Sequence, residues 1–221
     1  MIILLNSETY FQHKKAICQS ISQSSFHVMK KILLILILTL SLLSVGLAQW
    51  QKSNNGLYGG YIYVLAVDQT TKYLYAGTNG GIFKSTDNGS SWTASNSGIG
   101  SVYTIAASGN NVYAGTYGSG VFLSTNNGSS WTAVNNGLSN KIVFSIAING
   151  SNIFAGTNGG GVFLSTNNGI SWEAVNNGLS GDGLYVWSIA FSENNIFAGT
   201  SDGVFLLTNN SSSWTAVNNG F

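Results

Sequence analysis

The chain has 221 residues, of which 7% are charged and 12% aromatic, with 28 Gly, one Cys, no Pro and a formal net charge of +1. It lacks the Glu, Lys and Arg of surface helices, and it carries too many aromatic and β-branched residues for a disordered tail. Composition therefore points to an all-β protein of one or two domains.

The first 48 residues read as a leader. Met29-Lys30-Lys31 opens a short basic stretch, Ile32 to Val45 is apolar but for Thr39, Ser41 and Ser44, and Gly46-Leu47-Ala48 supplies small residues. This layout predicts a signal peptide over 29–48 cleaved after Ala48. The apolar run is shorter than the ~20 residues of a bilayer span, so no permanent membrane anchor is expected after cleavage. Residues 1–28 read as an unstructured, over-extended start upstream of Met29, with a long n-region as the alternative.

Trimming the leader changes the chemistry available. Cys18, His13, His27 and both Met residues lie before residue 49, and the chain has no Arg. The remaining charges are Lys52, Lys72, Lys84 and Lys141 against Asp68, Asp87, Glu173, Asp182, Glu193 and Asp202, four positive and six negative. Nothing basic enough is left to hold a phosphate backbone, so nucleic acid is not an expected partner. Without His or Cys there is no Ser-His-Asp or Cys-His arrangement and no imidazole or thiolate metal site, so no cofactor and no catalytic residues are expected.

Self-similarity dominates residues 49–221. Four segments align, beginning YLYAGTNGG at Tyr73, NVYAGTYGS at Asn111, NIFAGTNGG at Asn152 and NIFAGTSDG at Asn195. Their tryptophans, Trp92, Trp131, Trp172 and Trp214, follow one another at 39, 41 and 42 residues. That period predicts four-stranded β-propeller blades, about 57–97, 98–136, 137–177 and 178–219. Within the second unit, strands are predicted at Val102 to Ala107, Asn111 to Thr116, Gly120 to Thr125 and Ser130 to Val134, an antiparallel meander.

The third turn of each unit is the most specific motif. Ser85-Thr86-Asp87-Asn88-Gly89-Ser90-Ser91-Trp92 resembles the Asp-box (BNR-like) repeat, Ser-x-Asp-x-Gly-x-Thr/Ser-Trp. Similar boxes occur in bacterial sialidases, sortilin-type receptors, xyloglucan-degrading hydrolases and photosystem assembly factors. The structural positions are Ser85, Asp87, Gly89 and Trp92, then Ser124, Asn126, Gly128 and Trp131, then Ser165, Asn167, Gly169 and Trp172, with Trp214 kept in a looser fourth copy. The carboxylate or carboxamide is expected to accept backbone N–H groups of the turn, Gly to take positive φ, and Trp to pack beneath. The resemblance implies the fold strongly and function weakly. Sialidases of this kind grip their substrate with three arginines, which this chain lacks.

The chain carries one outer strand more than four units need. Trp50 to Leu57 repeats the spacing of Trp131 to Leu138. Four blades sit at the small end of the ~4–8 usual for propellers. Either the chain is a fragment of a longer propeller, the favoured reading, or copies self-assemble through open blade edges.

Binding is the favoured function, with a protein or glycan ligand, on a secreted or cell-surface protein. In propellers generally, the loops between blades and between second and third strands share the ligand-bearing face. The loops that vary between units nominate Tyr117, Lys141, Asp182, Tyr185 and Asp202 as site residues. Each inner strand also opens with an aromatic, Tyr63, Tyr103, Phe144 and Trp187. Burial between blades is the favoured reading for these, with Trp187 the exception. The alternatives are a fragment of a xyloglucanase-like glycoside hydrolase, with a carboxylate pair drawn from Asp68, Asp182, Glu193 and Asp202, and a ligand-sensing ectodomain. Asp68 and Glu193 are read first as solvated turn residues.

Overall fold

The computed structural model describes residues 51–58, 60–95, 98–208 and 211–220. The leader, Trp50 and Asn209 of the fourth box lie outside them. The chain divides into two compact units, Met1–Lys52 and Ser53–Phe221, and the second carries the fold.

That unit holds four antiparallel sheets, each a simple meander in chain order. The first contains β1 (Ile62–Val67), β2 (Leu74–Thr78), β3 (Gly81–Ser85) and β4 (Thr93–Ala94). The second contains β5 (Val102–Ser108), β6 (Asn111–Thr116), β7 (Val121–Ser124) and β8 (Thr132–Ala133). The third contains β9 (Val143–Asn149), β10 (Asn152–Thr157), β11 (Gly161–Ser165) and β12 (Glu173–Ala174), and the fourth β13 (Val186–Ser192), β14 (Asn195–Thr200), β15 (Gly203–Leu207) and β16 (Thr215–Ala216). The inner strands pack in sequence, β1 on β5, β5 on β9 and β9 on β13. These are propeller blades.

The outer strands are shorter than the sequence predicts. Ser130 N donates to Asn126 Oδ1 and so belongs to the turn before β8, while Gly120 N leaves the ladder for Lys141 O. Val134 N still reaches Val121 O at 2.9 Å, so one ladder bond lies beyond the end of β8.

Neighbouring blades interlock through three repeated contacts. The first uses the Gly of each Ala-Gly-Thr, where a Cβ on Gly77, Gly115 or Gly156 would lie 2.8, 2.7 or 2.7 Å from Cγ1 of Val102, Val143 or Val186 in the next blade. All three valines are fully buried. Only a residue without Cβ lets the next inner strand approach that closely. In the second contact, a hydroxyl on one inner strand accepts from the next, Ile146 N to Thr104 Oγ1 at 3.1 Å and Ile189 N to Ser145 Oγ at 3.0 Å.

The third contact is made by the tryptophans. The indole N–H of Trp131, Trp172 and Trp214 donates to Ser95 O, Val134 O and Val175 O, each at the end of the preceding blade's outer strand. Trp92 does the same with Ser53 O at 3.1 Å, and Trp92 N donates to Asn55 O at 2.8 Å. Ser53–Leu57 thus holds the place of a preceding outer strand. The sequence suggested only that Trp packs beneath its own turn, whereas the indole also ties two blades together.

The Ser-x-Asp/Asn-x-Gly turns divide their hydrogen bonds differently from expectation. Ser85 Oγ accepts from Gly89 N at 2.8 Å and donates to Asp87 Oδ1 at 2.7 Å. The carboxylate instead spans the hairpin, taking Ser91 N at 2.9 Å on Oδ1 and Ser91 Oγ on Oδ2. In the second and third copies Asn126 and Asn167 accept from Ser130 N and Ser171 N through Oδ1 and donate to the same serine hydroxyls through Nδ2. An amide carries one acceptor and one donor group, so it replaces a carboxylate facing a hydroxyl without loss. Gly89, Gly128 and Gly169 have φ of 84°, 80° and 83°, the left-handed region the turn needs.

Candidate functional site

The two loop classes meet as the strand directions require. Tyr117 N, after β6, donates to Ser101 O before β5, and Gly118 N and Gly120 N both donate to Lys141 O before β9. One blade later Asn158 N donates to Ile142 O and Gly159 N to Leu184 O, and Ser201 N donates to Tyr185 O. The loops after β6 and β10 are thus bonded to the connectors on either side, and the loop after β14 to the connector before it. Tyr117, Lys141, Tyr185 and the Asp202 loop lie along one stepped surface.

The aromatic openings of the inner strands form a row on that surface. Tyr63 stacks on Tyr103 with centroids 4.3 Å apart and planes 12° apart. Phe144 stacks on Trp187 at 4.7 Å and 18°. Tyr103 bridges the pairs, 5.6 Å from Phe144 and 5.5 Å from Tyr117. Offset stacking of this kind holds each ring by its neighbours. The rings pack across blade boundaries: Tyr103 and Phe144 are half-buried, while Tyr63 and Trp187, on the outermost blades, and Tyr117 are exposed. Tyr63 is 40% exposed, Trp187 52% and Tyr117 57%. The hydrogen bond with Tyr63, ahead of desolvation, is the main cause that raises the Tyr103 pKa.

Polar groups border the row. Trp187 Nε1 donates to Ser201 Oγ at 2.9 Å, which fixes the indole plane beside the exposed Asp202. Lys141 Nζ donates to Asn135 O at 3.2 Å, and partial desolvation lowers its pKa. Tyr185 is 41% exposed, its ring against Gly159, and Asp182 is exposed in the 3-10 turn Gly181–Leu184 that leads to it. Ring contacts join Tyr117 and Trp187 to the row. They do not bring Lys141, Asp182 or Asp202 side chains onto one another.

The other acidic residues sit apart from these loops. Asp68 is a turn residue but not a solvated one, for it is fully buried. Its Oδ1 accepts from Thr70 N at 2.8 Å and Thr71 N at 2.6 Å. Glu193 is exposed at φ 53°, in the turn position that Gly109 and Gly150 fill elsewhere. Among the described residues, no three His, Cys, Asp or Glu side chains cluster in a way that could hold a metal. A cavity of about 240 Å³ lies elsewhere, lined by Lys84, Ser95, Gly128, Ser129 and Trp131.

The solved structures similar to this chain are propellers. An ancestral GH74 enzyme aligns at 28% identity and TM-score 0.62, over 76% of this chain and 25% of its own. The GH74 enzyme of Niastella koreensis aligns at 25% identity and TM-score 0.57, over 77% of this chain and 27% of its own. The extracellular domain of the hybrid two-component system BT3049 of B. thetaiotaomicron aligns at 19% identity and TM-score 0.62, over 76% and 25%. The chain thus spans about a quarter of the length of these neighbours. No family model and no curated protein matches it. Fold and comparisons together define a β-propeller of four-stranded blades, with four blades among the described residues.

Proposed function

We propose that this is an exported, non-catalytic propeller of the Asp-box type that binds a glycan along the row of Tyr63, Tyr103, Tyr117, Phe144 and Trp187. The observation that carries the reading is the exposure of Tyr63, Tyr117 and Trp187, each packed on a neighbouring ring of the row. Such a surface presents apolar faces to the C–H faces of sugars at little cost in side-chain entropy. Ser201, Asp202 and Lys141 supply hydrogen-bonding groups at its margin. The leader over 29–48 supports export, and the extracellular neighbour from B. thetaiotaomicron is in keeping with it.

The test is titration of the purified protein with soluble plant and host oligosaccharides, followed by calorimetry and tryptophan fluorescence. Saturable binding lost in Trp187→Ala, with the fold retained, is the expected result. Absence of binding across the panel, or binding unchanged in Trp187→Ala, counts against the row. A protein ligand on the same surface is then the next candidate.

A second reading has one observation behind it, the 28% identity to an ancestral GH74 enzyme. On that reading the chain is part of a glycoside hydrolase, and a carboxylate pair does acid–base work. Reducing-sugar release that disappears in Asp182→Asn or Asp202→Asn would establish it in place of simple binding. A ligand-sensing ectodomain is a variant of the binding reading.

A further inference from the structure

The joint between the first and second blades departs from the two that follow at two places on one wall. Lys84 in β3 stands where the later blades have Leu123, Leu164 and Leu206. Ser95, after β4, stands where they have Val134, Val175 and Val217. At the second joint Leu123 and Val134 pack into the apolar core that buries Trp172, and at the third Leu164 and Val175 do the same for Trp214. Val134 lies over Gly169 as Ser95 lies over Gly128, so the two joints are in register. Trp172 and Trp214 are 5% and 3% exposed, whereas Trp131, at the first joint, is only half-buried. Lysine for leucine and serine for valine thus strip the apolar cover from one tryptophan of the set. The cavity of about 240 Å³ lies there, with Lys84, Thr93, Ser95, Ser129 and Trp131 in its lining.

The walls of this cavity are fixed before any ligand arrives. Lys84 Nζ donates to Asn127 O at 3.1 Å and lies 5.4 Å from the centre of the Tyr73 ring. Ser95 Oγ donates to Gly128 O, and Trp131 Nε1 donates to Ser95 O. Both blades therefore hold the lining in place, which keeps the ordering cost of binding low. An ammonium group carries three donors, and one carbonyl uses only one of them. Lys84 is the sole ionisable group among the lining residues, so no carboxylate of the lining competes for it.

We propose that this cavity is a second binding site, for one carboxylate-bearing sugar ring of the uronic acid kind. The Lys84 ammonium takes the carboxylate in a charge-assisted hydrogen bond. The hydroxyls of Thr93 and Ser129 face the sugar hydroxyls, and the uncovered part of the Trp131 indole takes a C–H face. The volume falls below the roughly 300–1,000 Å³ of sites for drug-sized ligands, which suits a single ring. A repeat that gives up apolar burial at one joint only, and there gains a cation and a cavity, breaks its own pattern as functional sites do. The cavity lies beside the Ser-x-Asn-x-Gly turn of the second blade, at the end of the strands opposite the aromatic row. The site is independent of the glycan reading of that row.

The full chain, recovered after export, is titrated with methyl β-D-glucuronide while its amide and indole N–H resonances are followed by NMR. Methyl β-D-glucoside and acetate are titrated in parallel. The expected result is saturable shifts of the Ser129 amide and the Trp131 indole with the glucuronide, and binding of the neutral glucoside weaker by roughly tenfold or more. Added salt should weaken the glucuronide further. Lys84→Leu and Ser95→Val install residues that the later blades already carry at these places, so both variants should fold, and each should abolish the shifts. Trp187→Ala should leave them unchanged. Absence of saturable shifts, glucoside or acetate binding as tightly as the glucuronide, or binding that survives Lys84→Leu overturns the proposal. Shifts lost in Trp187→Ala and kept in Lys84→Leu would put the glucuronide on the aromatic row, overturning this site and leaving that reading standing, so the two fail separately.

Discussion

Val143 sits where a side chain on Gly115 would have to be: a Cβ there would lie 2.7 Å from Val143 Cγ1 and 2.5 Å from Thr104 Cγ2. The second strand of one blade and the inner strand of the next are thus in contact closer than any side-chain-bearing residue permits. Gly115→Ala is expected to lower stability by about 1–3 kcal/mol, the usual cost of overpacking. Gly199→Ala, whose one close clash is with the rotatable Ser188 hydroxyl at 2.5 Å, should cost less. Urea unfolding of the two variants makes the comparison.

Ser124 Oγ is buried and holds Gly128 N at 2.8 Å. Removing it leaves a buried N–H without a partner, so Ser124→Ala should cost about 1–3 kcal/mol. Asn126→Asp should be far milder at neutral pH, because the first copy makes the same turn with Asp87. Equal losses in both variants would mean that the turn depends on the acidic or amide side chain rather than on the serine.

Asp87 has a pKa lowered to about 2, chiefly by the Ser91 hydroxyl, then by Ser91 N and Ser85. A carboxyl with a depressed folded pKa stabilises above its unfolded value, near 4, and loses that contribution as pH falls towards 2. Asp87→Asn should therefore flatten the acid limb of stability between pH 4 and 2 while leaving stability at pH 7 nearly unchanged. An unchanged acid limb in chemical denaturation would contradict the hydrogen-bond assignment.

Tyr75 is fully buried and its hydroxyl has no hydrogen-bond partner among the described residues. Burial first, and the Asp68 charge second, push its pKa up to about 12. A group that holds its proton more tightly when folded stabilises below the unfolded pKa, near 10, and that contribution is lost as pH rises towards 12. Tyr75→Phe removes an unpaired buried hydroxyl, and Phe154 and Phe197 already stand at the aligned places of the third and fourth blades. It should leave stability at pH 7 equal or higher and reduce the alkaline loss. Tyr113, whose pKa burial also raises, should retain a share of that loss.

The sequence by itself determined the blades. Period, turn residues and β-branched alternation are local signals, and the strands follow them to within a few residues, with the outer strands shorter because their first residues are taken by the turns. The Ser-x-Asp/Asn-x-Gly turns were legible too, since serine, amide and glycine act on their own hairpin. What only the tertiary structure decided is whatever crosses from one blade to the next, because such contacts join residues roughly forty positions apart that no local pattern links. The indole bond of Trp172 to Val134 O is of that kind, and so is the fit of Val143 against Gly115. The aromatic row belongs there as well. Its periodicity was visible, and periodic aromatics usually mean core. Exposure depends on where the inner strands end relative to their neighbours, and only the packed blades fix that.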